Sequence, residues 1–238
     1  MKSILSKIYL VYVFFWVLFF FLLLYPLFWY YLSDEKRYTK AHKLRVLWGR
    51  LLLITCLTRK KIYFEEPFDK NKLYVIIANH SSFLDIATLA VALPVDFNYI
   101  AKIELARIPV FGIFFRTIDI AVDRKSPIQS AKAYMRANLQ LKNKVKSIVI
   151  FPEGGIKKQA PKLSPFKEGA FKMAIENKVY ILPVSMPDNH KRLYSENNGA
   201  SPGMMRVYIH KPIDTSNMKV EQVKELTNEV FHIINSKL

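Results

Sequence analysis

The pattern of apolar and polar residues divides the chain into a long uncharged N-terminal run and an alternating C-terminal part. Residues 8–33 carry no charged side chain, and this run exceeds the roughly 20 residues that a helix needs to cross a bilayer. From about Phe64 onward, short β-branched apolar runs alternate with helix-like segments. The predicted strands are residues 73–78, 97–101, 118–122, 147–151, 179–184 and 206–210, and the predicted helices are residues 83–92, 126–144, 168–177 and 220–236. We predict an α/β fold, with a mixed sheet covered by helices, that follows an N-terminal membrane helix or helical hairpin.

The uncharged run has the features of a membrane anchor. Trp29, Tyr30 and Tyr31 lie at its C-terminal end, where the aromatic residues of a membrane helix concentrate. The run is too long for a cleavable signal peptide, and no small-residue cleavage site follows it. Pro26 would kink the helix or split it into a re-entrant hairpin. The alternative to a membrane anchor is a buried core helix.

Basic residues flank the run on both sides and indicate an orientation. The flanking basic residues are Lys2, Lys7, Lys36, Arg37, Lys40, Lys43, Arg45 and Arg50. By the positive-inside rule, the bulk of the protein lies on the cytoplasmic face of the cell inner membrane or plasma membrane. Residues 42–53 form a basic amphipathic pattern, which either lies near anionic lipid headgroups or packs on the core. We assign residues 1–60 to membrane-anchoring helices and residues 61–238 to the α/β domain.

The charge balance points to an anionic partner. The chain has 36 Lys and Arg residues against 19 acidic residues, a net charge of +17, which suits nucleic acid, a membrane surface or a phosphorylated substrate. We expect no nucleic-acid partner, because lipid headgroups are the nearer anions for a membrane-anchored chain. Cys56 is the only cysteine, so a disulfide framework is excluded. The five histidines lack the spacing of metal ligands, and we expect no metal site.

The segment Asn79–Asp85 carries the strongest chemical pattern. His80 and Asp85 follow a predicted buried strand and lie five positions apart, which is the layout of a general base and the acid that orients it. One alternative is a capped helix, since Ser82 and Asp85 resemble a capping pair. Another is a hydrolase with Ser81 or Ser82 as its nucleophile, although no Gly-x-Ser-x-Gly motif is present.

Two later segments carry residues suited to an anionic substrate. Arg124 follows a predicted strand and is able to hold a phosphate by a bidentate contact. Another strand leads into Glu153 and Gly154, where the backbone can approach a ligand closely and a carboxylate can accept hydrogen bonds from hydroxyls. Lys157 and Lys158 follow and make this turn positive. The alternative is a plain turn whose lysines, like Arg124, are simply solvated.

The order of these motifs resembles the lysophospholipid acyltransferase family, and in particular its bacterial 1-acylglycerol-3-phosphate acyltransferase type. The motifs are Asn-His-x4-Asp, an arginine after a strand, Phe-Pro-Glu-Gly, Phe-Lys-x-Gly-Ala at residues 166–170, and a strand ending in Pro-Val at residues 183–184. The resemblance covers about residues 70–190. It implies that His80 and Asp85 are the catalytic pair, and that Arg124, Glu153 and Gly154 bind the glycerol phosphate of the acceptor.

The third motif departs from the family pattern. It usually continues Gly-Thr-Arg, whereas this chain has Gly154-Gly155-Ile156, and Lys157 or Lys158 would replace the missing arginine. The resemblance implies transfer of an acyl chain to the free hydroxyl of a lysophospholipid in the membrane. The expected acceptor is 1-acyl-glycerol-3-phosphate, which yields phosphatidic acid.

Two alternatives remain open from the sequence. The first is an acyltransferase for another lysolipid, such as a lyso-aminolipid, and the second is a non-catalytic membrane adaptor that binds acidic lipids. For the acyltransferase, we expect no bound cofactor, with acyl-CoA or acyl-acyl carrier protein as co-substrate. Acyl carrier protein would then also be a protein partner.

Overall fold

The computed structural model describes residues 2–109, 111–193 and 200–238. Its helices are α1 (Lys2–Leu32), α2 (Tyr38–Thr55), α3 (Leu84–Ala92), α4 (Ile103–Ala106), α5 (Gly112–Thr117), α6 (Pro127–Lys142), α7 (Gly169–Asn177) and α8 (Val223–Asn235). Its strands are β1 (Thr58–Phe64), β2 (Tyr74–Ala78), β3 (Phe97–Lys102), β4 (Ile120–Val122), β5 (Ser147–Ile150), β6 (Tyr180–Ser185) and β7 (Gly203–Ile209). Short 3-10 helices cover Glu35–Arg37, Asn189–Lys191 and Val220–Gln222.

The seven strands form one sheet in the order β1-β7-β6-β2-β5-β3-β4. Every neighbouring pair is parallel except β6 and β7, which run antiparallel. The predicted mixed sheet is therefore confirmed. Because β2, β3, β4, β5 and β6 all run in the same direction, their carboxyl ends meet at one edge of the sheet.

The centre of the sheet is covered on both faces. All five residues of β2 are buried, as expected for a central parallel strand. On one face, Val75 and Ile77 of β2 pack in a core with residues of α6, α7 and α8. On the other face, Ile76 packs with residues of α3. The alternating apolar runs of the sequence thus become strands with two buried faces.

The first two helices form an antiparallel hairpin that packs on this domain. The Tyr9 hydroxyl of α1 donates to the carbonyl of Cys56, just after α2, and the Trp48 indole N–H of α2 donates to the carbonyl of Val17. Pro26 lies within α1, which continues to Leu32, so Pro26 does not split the helix.

One stripe of α1 is buried along the length of the helix. The rings of Phe21 and Phe111 contact each other at a tilt with centroids 4.2 Å apart, and the ring centroids of Phe28 and Phe114 of α5 lie 5.0 Å apart. The other faces of α1 stay exposed and apolar, with Leu18 51% and Leu22 49% exposed. The segment Ile4–Leu32 is long and apolar enough to cross a membrane.

Helix α2 packs its apolar face on the domain, which was one of the two interpretations of its pattern. Leu44, Trp48 and Leu52 are buried in a core shared with α1 and α3. Arg45 differs from the expectation that the basic residues of this helix lie near lipid headgroups, because it is buried and paired with Asp119 at 2.9 Å. Lys43 and Arg50 remain exposed.

Strand β1 and the short helices α4 and α5 were not predicted. Strand β1 has the sequence TRKKIYF, whose four polar residues hide its strand character. Pairing with β7 along its full length holds it in the sheet. The predicted boundary between residues 60 and 61 falls within β1, and the division into an anchoring part and a catalytic part stays a prediction.

Candidate active site

The residues of the main motifs meet at the shared edge where the parallel strands end. His80 follows β2, Glu153 follows β5 and Arg124 follows β4. Strands β5 and β6 flank β2 in the sheet, so the segments after these three strands lie side by side. His80 and Glu153 are 73 residues apart in the sequence, and the pairing of β2 with β5 brings them together.

His80 and Asp85 are in direct contact. The Nδ1 atom of His80 lies 2.8 Å from Oδ2 of Asp85. The Asp85 side chain is fully buried, whereas the His80 side chain keeps 16% of its surface exposed. Because Nδ1 is engaged by the carboxylate, the proton-accepting lone pair of a neutral imidazole is placed on Nε2. Within the described part of the chain, no residue hydrogen-bonds Nε2.

The turn between β2 and α3 fixes the Asp85 carboxylate. Its Oδ2 atom also accepts the backbone N–H groups of Ser81 at 2.8 Å and Ser82 at 2.9 Å. Asp85 therefore holds the backbone that leads into α3 as well as contacting the histidine, and its bond to the Ser82 N–H joins the two residues of the predicted capping pair. Its other oxygen, Oδ1, accepts the side-chain amide of Asn189 at 2.6 Å.

The segment after β5 supports the histidine from the other side. The ring of Phe151 stacks on His80 with centroids 4.0 Å apart. The Glu153 carboxylate accepts the backbone N–H of His80 at 2.9 Å through Oε1 and the backbone N–H of Ser164 at 3.0 Å through Oε2. Burial raises the pKa of Glu153, although both hydrogen bonds oppose this shift. A contact between Glu153 and a substrate hydroxyl stays a prediction.

The positively charged side chain of Arg124 contacts the turn that follows Glu153. The Arg124 guanidinium donates through Nη1 to the carbonyl of Gly154. A Cβ atom built on Gly155 would lie 3.3 Å from that Nη1, and one built on Gly154 would lie 3.3 Å from Cε of Lys167. Both glycines also have positive φ, +79° and +132° in chain order. These glycines thus allow Arg124 and Lys167 to approach the backbone beside Glu153.

The remaining predicted residues lie further along the same loop. Lys157 and Lys158 are exposed and follow the turn that carries Glu153. Together with Arg124 and Lys167, they make this end of the sheet edge positive. The described residues contain no group of three His, Cys, Asp or Glu side chains able to hold a metal ion.

The sequence did not indicate Asn189 or the stacking of Phe151. Asn189 lies in the short 3-10 helix after β6, and it is fully buried. The only available signal was its place after a predicted strand, at the edge where ligands usually bind. Asn79 was also missed as a structural residue: its side chain bonds both the N–H and the carbonyl of Met186, which ties β2 to the end of β6.

The fold is shared with a solved acyltransferase structure. The structure superposes on the 1-acyl-sn-glycerophosphate (LPA) acyltransferase PlsC from Thermotoga maritima with a TM-score of 0.81, over 100% of this chain and 96% of that chain, at 23% sequence identity. The α/β architecture with an N-terminal helical part is thereby confirmed.

Sequence comparison gives the family. The Acyltransferase family model matches residues 59–187, which is more than half of the chain, and the chain belongs to this family. The predicted resemblance to lysophospholipid acyltransferases is therefore confirmed at the level of the family.

Curated relatives agree with this assignment. The chain is 33% identical over 174 residues to the 1-acyl-sn-glycerol-3-phosphate acyltransferase of Saccharomyces cerevisiae, covering 71% of this chain and 56% of that protein. It is 28% identical over 197 residues to the enzyme of the same name from Salmonella typhimurium, covering 81% of this chain and 77% of that protein. An uncharacterized acyltransferase of Schizosaccharomyces pombe is 28% identical, with 76% of this chain and 65% of that protein covered. The chain spans about half the length of several curated relatives that it matches.

Proposed function

We propose that this protein transfers an acyl chain from an acyl thioester to the free hydroxyl of 1-acyl-glycerol-3-phosphate, producing phosphatidic acid. The observation that carries this proposal is the 2.8 Å contact between His80 and the buried Asp85, beside a turn held by Arg124. A base with a free Nε2 suits a hydroxyl nucleophile, and a positive group suits an acceptor phosphate.

In the proposed reaction, Nε2 of His80 takes the proton of the acceptor hydroxyl while that oxygen attacks the thioester carbonyl carbon. A new C–O bond forms, and the carbonyl oxygen becomes an oxyanion. When this intermediate collapses, the C–S bond breaks and the imidazolium returns its proton to the departing thiolate. Asp85 holds the ring through Nδ1 and stabilises the imidazolium between these two steps.

The acceptor phosphate binds at the positive turn in this proposal. Arg124 already donates one N–H to the Gly154 carbonyl, and its other donors can address phosphate oxygens. Lys167, Lys157 and Lys158 supply further positive charge, in place of the arginine that the third motif lacks. This arrangement supports a phosphate monoester over a lyso-aminolipid, because the latter presents fewer negative charges.

The donor thioester is acyl-CoA or acyl-acyl carrier protein in this proposal, and no bound cofactor takes part. Both donors offer the same reacting group, so the mechanism is common to both. The relatives from Saccharomyces cerevisiae and Salmonella typhimurium are named for the acceptor that we propose.

The proposal places the protein on the cytoplasmic face of the inner or plasma membrane, anchored by residues 1–60. Helix α1 is buried along one stripe only, and its outward faces carry exposed apolar residues along its length. Burial of such a surface in the acyl region of a bilayer is favourable. We expect the double variant Leu18→Lys, Leu22→Lys to lose sedimentation with liposomes. Leu139→Lys on α6, where Leu139 is 57% exposed, serves as the matched control and should sediment normally.

A serine hydrolase is not supported by the geometry. The Ser82 hydroxyl donates to the carbonyl of Leu193 at 2.6 Å and accepts the N–H of Leu84 at 3.1 Å. The Ser81 hydroxyl is buried without a hydrogen-bond partner among the described residues. Neither hydroxyl is paired with the base, as an activated nucleophile requires.

An acceptor panel tests the proposed function. Detergent-solubilised protein is assayed with acyl-CoA and with acyl-acyl carrier protein against 1-acyl-glycerol-3-phosphate, lysophosphatidylglycerol and lysophosphatidylethanolamine. We expect the highest kcat/KM with the phosphate monoester, and we expect Arg124→Gln to raise its KM about 10-fold or more, the loss of a charge-assisted contact. Arg136→Gln, which alters an exposed arginine of α6, should leave KM unchanged. Turnover only of another lysolipid, or binding of acidic lipid without any turnover, would contradict the proposal.

A further inference from the structure

Asn189 is the one side chain that hydrogen-bonds Oδ1 of Asp85 within the described residues. The other donors, His80 Nδ1 and the N–H groups of Ser81 and Ser82, all address Oδ2. Asn189 donates through Nδ2 to Oδ1 at 2.6 Å. Both Asp85 and Asn189 are fully buried, so water does not take the place of this donor. A buried carboxylate oxygen without a donor is strongly unfavourable.

The Asn189 amide is itself held in one orientation. Its Nδ2 also donates to the Thr88 hydroxyl at 3.2 Å, and that hydroxyl donates to the carbonyl of Leu84 at 2.8 Å. Its Oδ1 is buried and has no hydrogen-bond partner in the described part of the chain. A reversed amide would point this oxygen at the Asp85 carboxylate and bring two acceptors together, so the amide acts as a donor.

We infer that Asn189 is a positioning residue for the proposed acyl transfer, acting through Asp85 as the third member of a relay His80–Asp85–Asn189. The inference rests on the proposed function. The three donors on Oδ2 lie on one short turn and leave the other oxygen without support. Asn189 comes from a different element, the segment after β6, and prevents the carboxylate from turning about its Cβ–Cγ bond. The carboxylate then keeps the orientation that the His80 ring needs.

The ionisable groups around this relay come from several elements. The negative charge of Asp85 contributes to raising the pKa of both Glu153, after β5, and Tyr99 of β3. Asp188 and His190 adjoin Asn189 in sequence, and Asp188 is paired with Arg206 at 2.6 Å. None of these groups is altered by the substitutions below, so a changed pH profile reports on the relay.

Two substitutions at Asn189 separate a positioning role from a merely structural one. Asn189→Ala removes the donor at every pH. Asn189→Asp has nearly the same shape but places a second carboxyl next to Asp85, and two carboxyls this close do not both ionise. The new carboxyl keeps a proton at low pH, where it still donates, and loses it as the pH rises. Thr88→Val is the control, because it removes the second contact of the amide and leaves its bond to Asp85.

The experiment measures kcat and KM against pH for the wild type and these variants, with His80→Ala as a reference and thermal unfolding as a check on folding. We expect Asn189→Ala to lower kcat about 10- to 100-fold, the effect of losing one hydrogen bond to a charged group, with KM within about twofold. Asn189→Asp should be most active at low pH and lose activity at a pH where the wild type does not. Thr88→Val should keep the wild-type profile.

The outcomes distinguish this inference from the proposed function. If the wild type turns over lysolipid and His80→Ala does not, a normal kcat and pH profile in both Asn189 variants overturns the inference alone. If the wild type is inactive, the proposed function fails, and the inference is tested by NMR of histidine-labelled protein. A displaced His80 Nδ1–H resonance in the Asn189 variants but not in Thr88→Val supports it, and an unchanged resonance overturns it. If Asn189→Ala does not fold, the same kinetic and NMR measurements are made on Asn189→Asp alone.

Discussion

The ion pair between Arg45 and Asp119 gives a quantitative test of how α2 is joined to the domain. The two side chains are 4% and 6% exposed, and their charged atoms lie 2.9 Å apart. Asp119 also accepts the backbone N–H of Tyr99 at 2.9 Å through its other oxygen. Removing one partner of a buried pair leaves an uncompensated charge, at a cost of about 3–5 kcal/mol.

Asp119→Asn removes the negative charge of the pair and leaves Arg45 buried without its partner. The other contact of Asp119 is kept, because the amide oxygen can still accept the Tyr99 N–H. For a chain of this length, each kcal/mol shifts the unfolding midpoint by about 2–4 °C. We therefore expect Asp119→Asn to lower the midpoint by about 6–20 °C in detergent, measured by fluorescence-detected thermal unfolding. The double variant Arg45→Met, Asp119→Asn should lose less than the single variant, since it buries no unpaired charge.

A surface pair with the same separation provides the control. Lys102 and Glu104 also lie 2.9 Å apart, but their side chains are 57% and 46% exposed. Glu104→Gln should cost less than about 1 kcal/mol, because water screens an exposed pair. If Asp119→Asn is no more destabilising than Glu104→Gln, or if the double variant is less stable than the single one, the reasoning about the buried pair is refuted.

Two further predictions concern the glycine turn and acid stability. Gly155→Ala should lower acyl transfer and stability, because φ is +132° and the new Cβ would lie 3.3 Å from Arg124 Nη1. Gly169→Ala, at a helical position with nothing within 4 Å of the added Cβ, should be neutral or stabilising, and equal behaviour of the two variants would contradict the argument. Burial lowers the pKa of His42 to about 4, below its value of about 6.5 in the unfolded chain. Because the unfolded chain binds this proton more readily, the free energy of unfolding is highest above pH 6.5. It falls by about 3 kcal/mol in total as the pH drops toward 4. Denaturant unfolding from pH 7 to 4 should show this loss in the wild type and in His232→Gln but a smaller loss in His42→Gln, and equal slopes in all three would argue against it.

The sequence was most informative where one segment alone determines the structure. The strands of the sheet centre are short apolar runs with two buried faces, and their pattern predicted them to within a few residues. The contact between His80 and Asp85 was predictable for the same reason, since both lie on the short segment that leads from β2 into α3. Strand β1 was missed because its side chains are mostly polar, and only pairing with β7 makes it a strand.

Long-range contacts set the rest of the site and were not predictable. Asn189 lies 104 residues from Asp85, and nothing in its local sequence indicates that contact. The sequence suggested Glu153 as a hydroxyl acceptor, but it could not indicate that both of its oxygens accept backbone N–H groups from His80 and Ser164. The sequence similarly placed Arg45 among the basic residues of an amphipathic helix. It could not indicate burial, because the partner Asp119 is 74 residues away.

The general base is the central claim, and one rate measurement tests it most directly. Formation of phosphatidic acid from 1-acyl-glycerol-3-phosphate and acyl-CoA is followed for wild-type protein and His80→Ala in the same detergent, with unfolding midpoints measured for both. A positioned base contributes about 10²–10⁴-fold to a rate. We expect His80→Ala to lose at least about 100-fold in kcat while its midpoint stays close to that of the wild type. Near-normal turnover by folded His80→Ala would contradict it.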